Sequence, residues 1–391
     1  MTAKQLARLH ASPFRVSSCN QEQDEETNMK RRDFVKSALV GGAAASIASP
    51  AIAQSSPVLR WRIATSYPKT LATLYGAAEY LSKYVAEATD NNFQIQLFGP
   101  GEIVPALQVA DACSSGTIEA GHSAGSFNIG KDPAFGIATG LPGGLNARQQ
   151  AAWQYHAGGL DLLNEFFAGF NLHSLPAGNT GAQPAGWFRK PITSLADMKG
   201  LKMRVAGLGG SVLAKLGVVP QQLGAGDIYP ALERGTIDAA DFVGPYDDEK
   251  LGLAKIAPYY MYTSPWEGGG ELSFFFNKEK WEGLPKSYKA LLTAAAQGAS
   301  HDMQAKYDAW NPPALVRLLR AGAKPTPIPD DVVRASLVAS RELMTELSAK
   351  SPAFKKIYDH LARFQAESQP WVAMSDLRYD LLVTNFMNQR Q

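Results

Sequence analysis

Asp238, Asp241, Asp247 and Asp248 crowd one short stretch of this chain. Carboxylates and free backbone carbonyls suit a hard cation with oxygen ligands. Asp241-Phe242-Val243-Gly244-Pro245-Tyr246 leaves a strand as a short, stiff segment of that kind, and Trp266-Glu267-Gly268-Gly269-Gly270 offers a second carboxylate beside an aromatic ring and a flexible backbone. On residue type alone a solvated surface is the favoured account of each of these acids. Arg204 sits in the apolar run 201–205. A cation there needs a partner, because unpaired buried charge is expensive. A guanidinium can clamp an incoming carboxylate with two parallel charge-assisted hydrogen bonds. Pairing with an internal Asp or Glu, or outward placement, are the competing outcomes.

Two further motifs resemble catalytic ones. Gly121-His122-Ser123-Ala124-Gly125 matches G-x-S-x-G and follows a strand. A nucleophile elbow needs a helix directly after it. Here Ser126-Phe127-Asn128-Ile129-Gly130-Lys131-Asp132-Pro133 follows, and His301 and His360 carry no distinctive context. An exported α/β serine hydrolase using Ser123 is therefore the weaker reading. A Gly/Ser loop at a strand's C-terminal end, of the kind that lines ligand crevices in open α/β sheets, is the stronger. Gly207-Leu208-Gly209-Gly210-Ser211-Val212 follows a strand as a dinucleotide fingerprint would, but Val212 stands where the third glycine belongs.

The elements that must position these residues belong to a chain of 391 residues, which at ~100–200 residues per domain suggests two domains. With 45% hydrophobic and 19% charged residues it is globular. Lys plus Arg number 38 against 36 Asp plus Glu, a net of +2. That balance argues against nucleic-acid binding, which would demand a basic face. Two cysteines exclude a disulfide scaffold and a cysteine-rich metal protein, and six histidines leave no histidine-rich metal cluster.

Residues 1–28 are polar and acidic and read as an upstream start that is not used. Met29-Lys30-Arg31-Arg32-Asp33-Phe34-Val35-Lys36, an uncharged stretch, and Ala51-Ile52-Ala53 make residues 29–53 an export signal. Arg31-Arg32 gives it a twin-arginine character. The mature chain is expected to begin near Gln54, soluble and periplasmic, with 31 basic and 31 acidic residues and Cys113 as its one cysteine.

From there strands and helices alternate. Strands are expected at 58–64, 93–98 and 117–121, with helices at 70–89 and 105–115 between them. The pattern resumes with strands at 183–188, 201–205, 218–221 and 236–240, and helices at 195–198, 210–216 and 228–234. This is a mixed α/β chain. Residues 287–310 form a long amphipathic helix that Pro312-Pro313 should end or kink. The remainder to 391 is almost wholly helical.

Several segments together resemble the solute-binding proteins of tripartite ATP-independent periplasmic (TRAP) transporters. They are Gly186-Trp187-Phe188-Arg189-Lys190, Asp197-Met198-Lys199-Gly200-Leu201-Lys202-Met203-Arg204, and the run from Gly226-Asp227-Ile228-Tyr229-Pro230-Ala231-Leu232 to Gly235-Thr236-Ile237-Asp238-Ala239-Ala240. Val243-Gly244-Pro245-Tyr246-Asp247-Asp248-Glu249 and Trp266-Glu267-Gly268-Gly269 narrow the likeness to the subgroup binding 2-oxo or 2-hydroxy monocarboxylates with a cation. The resemblance implies a binding protein and not an enzyme. It implies a two-lobed, periplasmic-binding-protein-like clamshell with a long helix crossing both lobes. Lobe I would comprise 57–179 with 243–285, and lobe II 180–242 with 286–391. By the same resemblance Arg204 and Gln183 bind the ligand, Phe127 and Trp187 form apolar walls, and Asp241, the Phe242 carbonyl and Glu267 hold sodium or calcium. The subgroup often has glutamate-tryptophan where this chain has Asp241-Phe242. A membrane permease is the implied partner. A homodimer through the C-terminal helices is implied too, with Phe364, Trp371 and Tyr379 available. A binding protein for a dicarboxylate or a sugar acid is the rival within the same fold.

Overall fold

The computed structural model describes residues 57–388. The expected unused start and export signal, with Cys19, lie outside the described residues. The strands are β1 (Leu59–Thr65), β2 (Phe93–Phe98), β3 (Ala120–Ser123), β4 (Leu172–Asn179), β5 (Gly186–Phe188), β6 (Lys202–Arg204), β7 (Val219–Gln221), β8 (Ala239–Ala240), β9 (Tyr259–Tyr262), β10 (Glu271–Asn277) and β11 (Lys324–Pro327). The helices are α1 (Leu74–Ala88), α2 (Val109–Ser114), α3 (Phe135–Thr139), α4 (Ala147–His156), α5 (Gly159–Ala168), α6 (Gly207–Lys215), α7 (Ala225–Glu233), α8 (Pro245–Leu251), α9 (Lys278–Glu282), α10 (Lys286–Arg320), α11 (Asp330–Lys350), α12 (Pro352–Met374) and α13 (Asp376–Asn388). Among the described residues no helix is long and apolar enough to cross a membrane.

Two sheets form, as the alternation of elements predicts. The first has the order β2-β1-β3-β10-β4 and the second β11-β9-β5-β8-β6-β7. β1 pairs in parallel with β2 and β3, whereas β10 runs antiparallel between β3 and β4. Every residue of β10 is buried, including Phe274, Phe275 and Phe276. A central strand covered on both faces reads as a continuous apolar run, so alternation could not find it.

The expected lobe boundaries meet a difference here. Block 243–285 does not stay with the first sheet: β9 pairs with β5 and β11 in the second, and only β10 returns to the first. Nor do the C-terminal helices keep to the second sheet's side. In α12, His360 Nδ1 accepts from Trp153 Nε1 of α4 at 3.0 Å, and Lys356 pairs with Glu165 of α5.

The chain therefore changes sheet between β4 and β5, again between β9 and β10, and a third time between β10 and β11. The first two crossing segments lie side by side. Thr180 N donates to Gly270 O (3.1 Å), Gln183 N to Glu267 O (3.3 Å) and Ser264 N to Gln183 O (3.3 Å). These segments carry two of the candidate site residues.

Helix α10 has 35 residues, about 52 Å at ~1.5 Å per residue. It does not end at Pro312-Pro313 but runs on to Arg320. Proline deprives the carbonyl four residues earlier of its donor. Those carbonyls belong to Asp308 and Ala309, both exposed, so water can replace the missing donors. Near its middle Tyr307 donates to Asp247 Oδ2 (2.7 Å), which also accepts from Thr73. Asp247 is fully buried and its carboxyl is pushed up to about 6 by that burial. One acid on α8 thus joins the long helix to the start of α1.

α10 approaches β4 at Gly178, whose φ is +121°. A Cβ there would lie 2.2 Å from Met303 Sδ. Gly178→Ala should therefore cost roughly 2–4 kcal/mol of stability, through backbone strain and overlap with the long helix. Urea unfolding monitored by circular dichroism checks this. Parent-like stability would mean that the helix is free to shift away.

Candidate functional site

A cavity of about 60 Å³ lies between the two sheets, lined by residues from both and from the crossing segments. The first sheet contributes Tyr67 after β1 and Ala124, Ser126 and Phe127 after β3. The second contributes Arg204 at the end of β6 and Asp241 and Phe242 after β8. Gln183 and Glu267 come from the crossings. Most of these sit just past the C-terminal ends of strands, where an open α/β sheet leaves its crevice.

Of the expected ligand residues, Gln183, Arg204 and Phe127 line this cavity, as do the expected cation ligands Asp241, Phe242 and Glu267. Trp187 does not. It is 0% exposed, its indole N–H donates to Asp248 Oδ2 (2.8 Å), and its ring stacks on Tyr260 with centroids 4.0 Å apart. Tryptophan in strand β5 serves the core of the second sheet, because a buried carboxylate beneath it takes its N–H.

Arg204 faces inward and is paired. Its Nη1 donates to Asp241 Oδ1 (2.7 Å) and to the Asp241 carbonyl (2.9 Å), and its Nε to Leu223 O (3.3 Å). Its guanidinium lies 5.4 Å from the Phe242 ring centroid. Internal pairing and cavity lining, read from sequence as alternatives, occur together. The cost is that the fork is not free: Nη2 is the one guanidinium nitrogen without a protein acceptor among the described residues.

Asp241 is 5% exposed. Burial drives its carboxyl up to about 6, against the pull of Arg204. Glu267 is pushed up to about 8, first by burial and then by the charge of Asp241, while the Gly269 N–H and Arg204 oppose this. Two carboxylates thus share one cavity with one guanidinium that Asp241 already engages. Hard oxygen donors with a surplus of negative charge match what sodium or calcium requires. Asp241, the Phe242 carbonyl and Glu267 could hold such an ion, with Gln183 in the same cavity wall. The Gln183 amide nitrogen is fixed by donation to Thr180 Oγ1 (2.8 Å), which also accepts from Gly270 N.

The catalytic look-alikes resolve into structure. Ser123 is buried in β3 and shares a 2.7 Å hydrogen bond with Ser66, which donates to Ala106 O. A short 3-10 turn follows it, with no α-helix to build an oxyanion site. Gly207 opens α6 with φ +62°, and a Cβ there would lie 2.6 Å from Ser126 Cβ. Its glycine lets the second sheet's helix approach the first sheet's turn, a packing role. Sequence reasoning missed Tyr67, Ser126 and Thr180 in the cavity wall. The signal for Tyr67 was its place just after β1, the same strand-end argument that was applied to Ser123.

A family model described as bacterial extracellular solute-binding protein, family 7, matches residues 64–350. A monocarboxylate 2-oxoacid-binding periplasmic protein of Nostoc sp. is 44% identical over 369 residues, covering 93% of this chain and all of that protein. A TRAP transporter solute-binding protein from Bordetella bronchiseptica, a mixed-occupancy dimer with copurified calcium and picolinate, is 47% identical with a TM-score of 0.84, covering 86% of this chain and all of its own. One from Pseudoalteromonas atlantica with bound sodium and pyruvate is 36% identical with a TM-score of 0.79, covering 82% and 98%.

Glu267 has a consequence for pH. Its folded value of about 8 lies above its ordinary 4.5, so the folded state holds a proton that the unfolded state releases. The stability this adds is complete below about 4.5 and is lost as pH rises through about 8. In cation-free buffer the melting temperature of the parent should fall from pH 5 to pH 8 more steeply than that of Glu267→Gln. Parallel curves would show that Glu267 is not desolvated.

Proposed function

We propose a capture-and-delivery role for this chain, which belongs to the bacterial extracellular solute-binding proteins of family 7. Such proteins bind and hand over; they are not enzymes, and a nucleophilic role for Ser123 lapses with that membership. The ligand is a small 2-oxo or 2-hydroxy monocarboxylate, pyruvate-like or lactate-like, bound together with sodium or calcium. The observation that carries this reading is the carboxylate pair, Asp241 and Glu267, in one small cavity with Arg204. An anion is repelled by such a pair until a cation neutralises it. The Nostoc relative's 2-oxoacid name and the cation–carboxylate pairs in the two structural neighbours support the same chemistry.

In this reading Arg204 Nη2 and Gln183 meet the ligand oxygens. Asp241, the Phe242 carbonyl and Glu267 hold the cation, and Phe127 and Phe242 face the ligand's apolar end. A water needs ~10–15 Å³ of such space, so the cavity takes roughly four to six water-sized groups. That favours a pyruvate-sized acid over a dicarboxylate or a sugar acid. Ligand contacts from both sheets stabilise a closed form over an open one. The closed form docks on the TRAP permease in the membrane. Residues 29–53 act as the signal, twin-arginine in type, that brings the chain to the periplasm.

We also propose a homodimer through the C-terminal helices. Helix α13 has no buried residue, and Leu377, Leu381, Leu382 and Met387 are each about half exposed. An apolar helix of that kind needs cover, and a second copy is the occupant that the dimeric Bordetella neighbour suggests.

Calorimetry with pyruvate in calcium- or sodium-containing buffer should show binding that disappears when both ions are removed. Arg204→Ala should weaken it by a hundredfold or more, about 3 kcal/mol, while the fold survives. Ion-independent binding, or full affinity in Arg204→Ala, would sink the site assignment. For the dimer, light scattering of the parent should give twice the chain mass, and the double variant Leu381→Asp, Leu382→Asp a monomer. A parent monomer would remove that proposal.

A further inference from the structure

Tyr67 reaches the cavity from the first sheet, opposite Arg204 on the second. It is 5% exposed. Its backbone N–H bonds Thr65 Oγ1 (3.3 Å), and its ring packs edge-on against His122 with centroids 5.3 Å apart. Its phenolic oxygen meets no protein partner among the described residues, although the residue is almost wholly enclosed. That oxygen is not among the fully enclosed unpaired atoms of the described residues, and the residue lines the cavity, where a ligand can supply the missing partner.

We propose that the Tyr67 hydroxyl is a ligand-binding group, donating to the carboxylate of the captured acid from the side opposite Arg204. The inference rests on the binding reading above. Arg204 spends Nε and Nη1 on Leu223 and Asp241, so its Nη2 alone faces the ligand. Gln183 and the cation meet the ligand from the crossings and the second sheet. A carboxylate has about four lone-pair sites, so its oxygens can also accept from the first sheet's wall, where Tyr67 offers a neutral O–H. Burial holds the phenol far above its ordinary range, so it keeps its proton to donate, and the charge of Arg204 acts on it across the cavity. The carboxylate would then join a donor from each sheet, which makes Tyr67 part of what holds the closed form together.

Ser126 is the competing donor. Its backbone N–H is taken by Thr139 Oγ1 (2.9 Å), but its hydroxyl also lines the cavity without a partner. Tyr67→Phe keeps the ring against His122 and removes one oxygen. In calcium buffer, calorimetry should show Tyr67→Phe binding pyruvate roughly tenfold or more weakly than the parent, the loss expected for a hydrogen bond to a charged group. Its melting temperature without ligand and its calcium affinity without pyruvate should match the parent's, and Ser126→Ala should bind pyruvate within about twofold of it. Parent-like affinity in Tyr67→Phe, a matching loss of calcium affinity, or a loss confined to Ser126→Ala would each overturn the proposal. A parent that binds no pyruvate would instead overturn the function proposed above.

Discussion

Two carboxylates and one guanidinium share one small cavity, and the charges do not balance. Arg204 answers Asp241 directly, with two contacts from one nitrogen. Nothing answers Glu267 except the Gly269 N–H and a distant share of the same arginine. Left alone, the cavity corrects itself by holding a proton. In the proposed reading a metal ion would displace that proton and add a charge that an incoming acid can meet. Proton, cation and ligand would then compete and cooperate over a single pair of side chains. The ion pair also fixes the arginine before any ligand arrives, so little of its conformational entropy remains to be lost on binding.

The rest of the fold serves to bring these groups together. Arg204 and Asp241 come from strands that are neighbours in one sheet, since Arg204 stands opposite Ala240 in the β6–β8 ladder. Gln183 and Glu267 come from two of the loops that pass between the sheets, joined backbone to backbone. The segments that connect the sheets therefore also line the candidate site. α10 and the Thr73–Asp247–Tyr307 contact brace the same junction from behind.

Much of this was legible through the family resemblance. A lone arginine in an apolar strand needed a partner, but Asp241 and Glu267 were, by residue type alone, as readily solvated surface, and the resemblance singled them out. What failed did so for physical reasons. Trp187 was expected as a ligand wall by resemblance alone, and a tryptophan in a short strand can point either way; Asp248, which takes its N–H, decides for the core. Pro312-Pro313 looked like a helix end because sequence does not reveal that the carbonyls they orphan lie in solvent. β10 was invisible to alternation because both its faces are covered. β9 went to the wrong sheet because chain order does not say which neighbour a strand will find across a crossing.

Cys113 is fully buried in α2, its Sγ 3.4 Å from the Phe275 carbonyl, and burial raises its thiol far above the ordinary range. Thiolate, the reactive form, is accordingly scarce, and no reagent can reach it in the folded chain. In a chain cut to begin near Gln54, and so without Cys19, a cysteine placed at the rim of the cavity would thus accept a maleimide dye alone. Such a chain has the chemical silence that a single-label fluorescent sensor for small organic acids requires.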